Sequence, residues 1–213
     1  MPTSASKAQI CNLALSHIKQ TRTLIANLET DTGTVANTLR THYDVCREFV
    51  QSDHSWSFCT IRRTLADIGS PPSTWSYRYG YPSDCLHFWG IQNVTDDPNP
   101  LPFKVELTDD GSQNSILSNE YQAVGIFTKS VTNTSLFTPG FVSALSWYLA
   151  SEIAPALSES DRIQEATLTV YNRMLGAAQR ADNNQSYQTA AAASPWDQSR
   201  TGVSQPATVF NSA

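Results

Sequence analysis

The chain has 213 residues, 40% of them hydrophobic and 10% aromatic, with a formal net charge of −5 from 14 basic and 19 acidic side chains. That much apolar material excludes a chain disordered throughout and fits one large domain or a domain carrying a sizeable insertion. The acidic balance, with no stretch that concentrates Lys or Arg, excludes a phosphate-tracking surface and with it specific nucleic-acid binding.

In chain order, Ser6 to Lys19 places Ile10, Leu13, Ala14 and Ile18 along one helical face, and Ser6 with Gln9 has the spacing of a capping box. The start, Met1 to Gln20, lacks the basic, apolar and small-residue pattern of a signal peptide, so a soluble protein made in the cytoplasm is expected. A second, longer helix is predicted over Thr34 to Ser52. Val35, Leu39, Tyr43, Cys46, Phe49 and Val50 recur there at steps of three and four, with Asp31 or Thr32 as cap. From His54 the period is lost, and the adjacent Pro71 and Pro72 turn the chain.

Beyond Pro82 the pattern becomes β-like, over Leu86–Val94, Phe103–Leu107, Ser115–Ser118 and Tyr121–Phe127, with a turn at Thr108–Ser112. Thr138 and Pro139 then suit an N-cap and a first turn, and Phe141, Ala144, Leu145, Tyr148, Leu149 and Ile153 trace an apolar stripe that Pro155 should end or kink. A last helix is predicted from Ser158 to Asp182, with Ile163, Ala166, Val170, Tyr171, Met174 and Ala178 inward.

After Asp182 the composition shifts to Asn, Gln, Ser, Thr and Ala, with Asp197 and Arg200 the only charges. Such a segment buries too little apolar surface to offset its own ordering entropy, so an arm without order in the free subunit is expected. Yet it carries Trp196, Val209 and Phe210, residues suited to anchoring on another surface. The expected fold class is therefore mainly α with a β insertion: an antiparallel helical bundle from 1–81 and 131–182, a small antiparallel β subdomain over 82–130, and an extended C-terminal arm over 183–213.

Motifs of catalysis are sparse. There is no G-x-S-x-G elbow, no Gly-rich phosphate loop and no H-E-x-x-H. Cys11, Cys46, Cys59 and Cys85 are irregularly spaced and read as buried thiols. Cys85 with His87, or His54 with Cys59, has no second pair to complete a zinc site, so no metal and no cofactor is expected. On a regular strand Cys85 and His87 would share a face as a thiolate–imidazole pair, but a packed Cys beside a surface His is the preferred reading. The acidic pairs Asp96–Asp97 and Asp109–Asp110 raise glycoside hydrolysis, and both sit where turns favour Asp.

Four stretches carry a resemblance: "ICNLALSHI" in the first helix, "YDVCREFVQSDHSWSFCTIRRTLA" from the end of the second, "YGYPSDCLHFWGI" leading into the strands, and "FTPGFVSALSWYLASEIAPALSES" in the third helix. In this order and spacing, from Ala8 to Ala181, the chain resembles the tail tubular protein A family, adaptor subunits of the head–tail connector of short-tailed bacteriophages. It departs from the family at Gly80–Tyr81, where Pro-Leu is usual, and in the loop after the first helix.

The resemblance implies a helical bundle with a β insertion and a homo-oligomeric, dodecameric ring at the head–tail junction of the virion. The ring would lie between the portal protein and the tail nozzle protein, with genomic DNA passing through its lumen without sequence-specific binding. It also implies a C-terminal extension that clasps the portal, which assigns portal contact to Trp196, Val209 and Phe210. Asp109, Asp110, Gly111 and Ser112, at a polar turn tip, are expected to contact the nozzle. Tyr81, Pro82, Ser83 and Asp84 are expected to form the hinge between bundle and strands, with Tyr79, Phe88 and Trp89 filling the seam. A structural, non-enzymatic protein is the leading expectation, and a virion-associated glycan or peptidoglycan hydrolase is the alternative.

Overall fold

The structure, a computed structural model, describes residues 5–20, 24–92, 101–158 and 161–184. Those residues form four α-helices, α1 (Lys7–His17), α2 (Thr34–Ser52), α3 (Pro139–Leu157) and α4 (Asp161–Asn183). Between α2 and α3 lie six strands: β1 (Thr60–Thr64), β2 (Tyr77–Gly80), β3 (Cys85–Ile91), β4 (Phe103–Leu107), β5 (Asn114–Ser118) and β6 (Val124–Lys129). The strands make two small antiparallel sheets, ordered β1-β6-β3 and β2-β5-β4. No described helix is long and apolar enough to cross a membrane.

The helices begin where local chemistry directs. At α1 the Ser6 hydroxyl accepts from the Gln9 N–H at 3.2 Å and the Gln9 side chain accepts from the Ser6 N–H at 2.7 Å, the capping box that the spacing predicts. Its inner face carries Ile10, Cys11, Ala14 and Leu15, while Leu13 is exposed, so the stripe is turned relative to the expected one. The bounds of α2 are those predicted, but its cap is Gly33, with φ 133° and no side-chain cap bond. Asp31 is occupied elsewhere: its carboxylate accepts from the N–H groups of Ala26 and Asn27 at 2.8 and 3.2 Å, fastening the preceding loop instead. Phe49, expected inward, is half exposed against Tyr148, and Arg47 and Gln51 are buried on the inner face.

Thr138 caps α3 by accepting from the Phe141 N–H at 3.3 Å, with Pro139 in the first turn. Pro155 lies inside the last turn, and the helix stops two residues later at Leu157. α3 packs against α1, α2 and α4. On α4 the buried row includes Thr167, while Ala166 is exposed, contrary to expectation. Thr167 tolerates burial because its hydroxyl donates to the carbonyl of Gln164 at 2.8 Å or of Ile163 at 2.9 Å.

Gly140 faces Ala178 and Tyr148 faces Tyr171, so α3 and α4 run antiparallel. A Cβ at Gly140 would lie 2.9 Å from the Ala178 Cβ and 3.2 Å from its Cα, and backbone cannot yield as a side-chain tip does. Gly140→Val is therefore expected to lose about 1–3 kcal/mol by overpacking. Thermal unfolding that leaves this variant as stable as the parent would show that the helices can part without penalty.

Two hydrophobic cores result. The first joins all four helices around Leu39, Trp56, Phe141, Leu149 and their neighbours. The second lies between the sheets, with Tyr79 and Ile116 from one and Phe88, Ile91 and Phe127 from the other. The expected start of the β portion at residue 82 is corrected, since β1 and β2 precede it. β1, "TIRRT", pairs with β6 from Thr60↔Thr128 to Thr64↔Val124, and β2 pairs with β5 from Tyr77↔Ser118 to Gly80↔Ser115. Both strands depend on partners dozens of residues downstream, and neither alternates cleanly between apolar and polar. Asn183, the first residue of the expected arm, belongs to α4, and 185–213 lie outside the described residues.

Candidate functional site

The segment Tyr81–Asp84 links β2 of one sheet to β3 of the other. The expected hinge between helices and strands is thus corrected to a turn between sheets. Its geometry is a closed knot of bonds: Tyr81 N–H donates to the Asn114 carbonyl at 3.2 Å, and Cys85 N–H donates to the Pro82 carbonyl at 3.0 Å. The Asp84 carboxylate accepts from both Nη atoms of Arg63, at 3.0 and 2.9 Å, with Lys129 Nζ at 3.6 Å. The Arg63 guanidinium holds this carboxyl below the usual carboxylate range. Burial pushes the Tyr81 phenol up. Such a turn fixes the sheets against each other rather than letting them swing.

The joint between helices and sheets is elsewhere, at a pair of residues that sequence periodicity assigned no role. Arg47 and Gln51 on α2 reach the chain leaving β6: Arg47 Nη1 donates to Ser130 Oγ and the Val131 carbonyl, both at 3.1 Å, and Gln51 Nε2 donates to the same carbonyl at 2.7 Å. The only signal for this in the sequence is a polar pair at i and i+4 inside an apolar stripe.

Asp109–Ser112 forms the tip of the β4–β5 hairpin, as its turn chemistry predicts. Gly111, at φ 69°, donates its N–H to the Thr108 carbonyl at 2.8 Å. Asp110 accepts from the Ser112 N–H and hydroxyl at 3.1 and 2.9 Å. The nearby Thr108 hydroxyl and these Ser112 groups hold the Asp110 carboxyl down at about 2. Because its folded value lies below the ordinary one of about 3.9, its contribution is present above that ordinary value and is lost only as pH falls through about 2. A carboxyl-detected NMR titration should place the Asp110 midpoint near 2. A midpoint at the ordinary aspartate value would remove the turn bonds from the account. Asp109 is exposed and meets Arg78 Nη2 at 3.4 Å across a cleft of about 280 Å³. These bonds give Asp110 a turn role, while Asp109 is paired with Arg78 of β2. Asp96 and Asp97, and Trp196, Val209 and Phe210, lie outside the described residues.

Cys85 and His87 do not share a face. β3 has irregular register between Cys85 and His87 and again between Phe88 and Gly90, so the two-residue alternation breaks. Cys85 packs against the second core, while His87 is exposed and lies 4.2 Å from the Trp89 ring. Cys11, Cys46 and Cys59 are free buried thiols, pushed by burial up to about 12, and none is a nucleophile at neutral pH. Among the described residues no group of His, Cys, Asp or Glu has metal-site geometry.

A Ser, an Asp and a His do converge, where α4 ends against the loop after α2. The Asp182 carboxylate accepts from the Ser57 N–H at 3.0 Å and from its hydroxyl at 2.7 Å, and His54 Nε2 lies 3.5 Å away. The order is wrong for nucleophilic catalysis, because the hydroxyl donates to the carboxylate and not to an imidazole that could take its proton. The arrangement instead ties down the end of α4. No protein-family model matches the chain, and no curated protein matches it.

Proposed function

We propose that this chain is a structural virion protein, an adaptor subunit whose homo-oligomeric, dodecameric ring joins the portal of a short-tailed phage head to the tail nozzle and completes the DNA exit channel. The observation that supports it best is how the four resembling stretches are used. Ile10 and Leu15 of the first, Tyr43, Cys46 and Trp56 of the second, and Phe141, Leu149 and Ile153 of the fourth fill one core, while Tyr79, Phe88 and Ile91 of the third help fill the other. The resemblance thus lies in the residues that specify the scaffold rather than in scattered surface positions.

In this reading the helices act as an antiparallel bundle that meets its ring neighbours. The polar hairpin tip at Asp109–Ser112 faces the nozzle, and Trp196, Val209 and Phe210 of the arm engage the portal. An acidic ring repels DNA and lets it slide through the lumen. Mixing the protein with the portal of its phage should produce ring-capped portals by electron microscopy and a faster-sedimenting species. Two components that sediment independently at micromolar concentration would defeat the reading.

A further inference from the structure

The sheet β2-β5-β4 ends at β4, and among the described residues no strand pairs with its outer edge. The hairpin fixes which backbone groups face that edge. Thr108 N–H donates to the Gln113 carbonyl at 2.8 Å, so Thr108 faces β5, and residues of an antiparallel strand turn their N–H and C=O groups to alternate sides. Glu106 and Lys104 therefore bond to β5, opposite Ser115 and Leu117. Asn114, opposite Leu107, gives its carbonyl to Tyr81 N–H beyond β2 and not to β4, which agrees with this alternation. Phe103, Val105 and Leu107 each turn an N–H and a C=O outward, and no described residue hydrogen-bonds to them.

The side chains of the strand leave this edge unguarded. Phe103 packs on Phe88 in the second core, with ring centroids 5.1 Å apart, but Val105 and Leu107 on the same face are 41% and 58% exposed. Free edges are ordinarily blunted by an unpaired charge, a proline or a bulge. Here the charge on Lys104 is paired with Glu106, no proline lies within Phe103–Leu107, and the register against β5 runs unbroken from Phe103↔Ser118 to Leu107↔Asn114.

The strand "FKVEL" is complementary to its own reverse. Antiparallel pairing centred on Val105 sets Val105 opposite its own copy, Phe103 opposite Leu107 of the partner subunit, and Lys104 opposite Glu106 of the partner subunit. Every outward N–H and C=O of β4 then meets a partner, the exposed Val105 and Leu107 gain apolar cross-strand neighbours, and each Lys104 gains a second carboxylate.

We propose that β4 pairs with β4 of a second copy of this chain, antiparallel and centred on Val105, joining the two β2-β5-β4 sheets into one across a two-fold axis. A strand of 5 residues covers less than a standard interface, so the dimer is weak and reversible. The contact goes beyond the adaptor reading and does not rest on it, because a two-fold contact pairs subunits and cannot by itself close a larger ring.

The test uses the full-length chain alone, in the absence of portal. Sedimentation velocity should show a reversible monomer–dimer equilibrium at high-micromolar concentration. Lys104→Glu and Glu106→Lys each set like charges opposite one another on both sides of the axis, and each should weaken dimerisation about tenfold. The double variant Lys104→Glu with Glu106→Lys should restore it, and an equimolar mixture of the two single variants should form heterodimers. Recovery in the double variant separates lost complementarity from lost fold. A parent that stays monomeric, a dimer that both single variants leave unchanged, or a double variant no stronger than either single one would overturn the proposal.

Discussion

Replacing Arg47 by Ala should destabilise the protein by about 3 kcal/mol, lowering Tm by roughly 6–12 °C for a chain of this size. The guanidinium is 3% exposed and spends its donors on Asp44 at 3.2 Å, Glu48 at 3.0 Å, and Gln51, Ser130 and the Val131 carbonyl at 3.1 Å. The size of the loss is set by what each partner does afterwards. Asp44 and Glu48 are about half exposed and rehydrate, so little of the penalty comes from them. Gln51 and the segment at Ser130 and Val131 are less exposed. Gln51 keeps its own bond to the Val131 carbonyl, but the volume of the Arg stem becomes a void between α2 and the end of β6. Asp44→Ala, which removes only a surface partner, should move Tm far less. Equal and small shifts for Arg47→Ala and Asp44→Ala would show that the joint is held by apolar packing alone.

If the chain is the proposed portal adaptor, truncation after Asn184 should leave a folded protein that no longer stays on the portal. The cut belongs there because the Asp182 carboxylate secures the Ser57 N–H and hydroxyl, and Asn184 N–H donates to the Arg180 carbonyl at 3.1 Å; a shorter chain would fray α4. The removed arm carries Trp196 and Phe210, and burying one aromatic side chain contributes about 2–3 kcal/mol by area. Two such anchors on one segment would reinforce each other through effective concentration, and the proposed ring would multiply the effect. The twenty-nine residues from Gln185 to Ala213 could reach about 100 Å if fully extended, enough to cross a neighbouring subunit. Trp196→Ala with Phe210→Ala in the full chain should reproduce most of the loss. A stable complex of portal with the truncated protein, as judged by co-sedimentation, would exclude the arm as the clasp.

Local chemistry alone determined the helices. The capping pair Ser6 and Gln9, the cap Thr138 with Pro139, and steps of three and four residues define α1, α2 and α3 closely, because a helix closes its hydrogen bonds within its own segment. The hairpin tip at Asp109–Ser112 was legible for the same reason, since Asp110 and Ser112 satisfy each other two residues apart. The turn at Tyr81–Asp84 was legible as a turn, but what it connects was not.

Tertiary structure decided everything whose partner lies far along the chain. β1 is a strand because β6 pairs with it across Thr60↔Thr128, and "TIRRT" by itself states no such preference. The irregular register in β3 separates Cys85 from His87, although their spacing on a regular strand would have joined them. Arg47 is buried because Val131 arrives opposite it, and Asp182 is buried because Ser57 does. A strand or a buried charge is stable only when its hydrogen bonds are completed, and here the completing groups come from segments that meet only once the chain has folded.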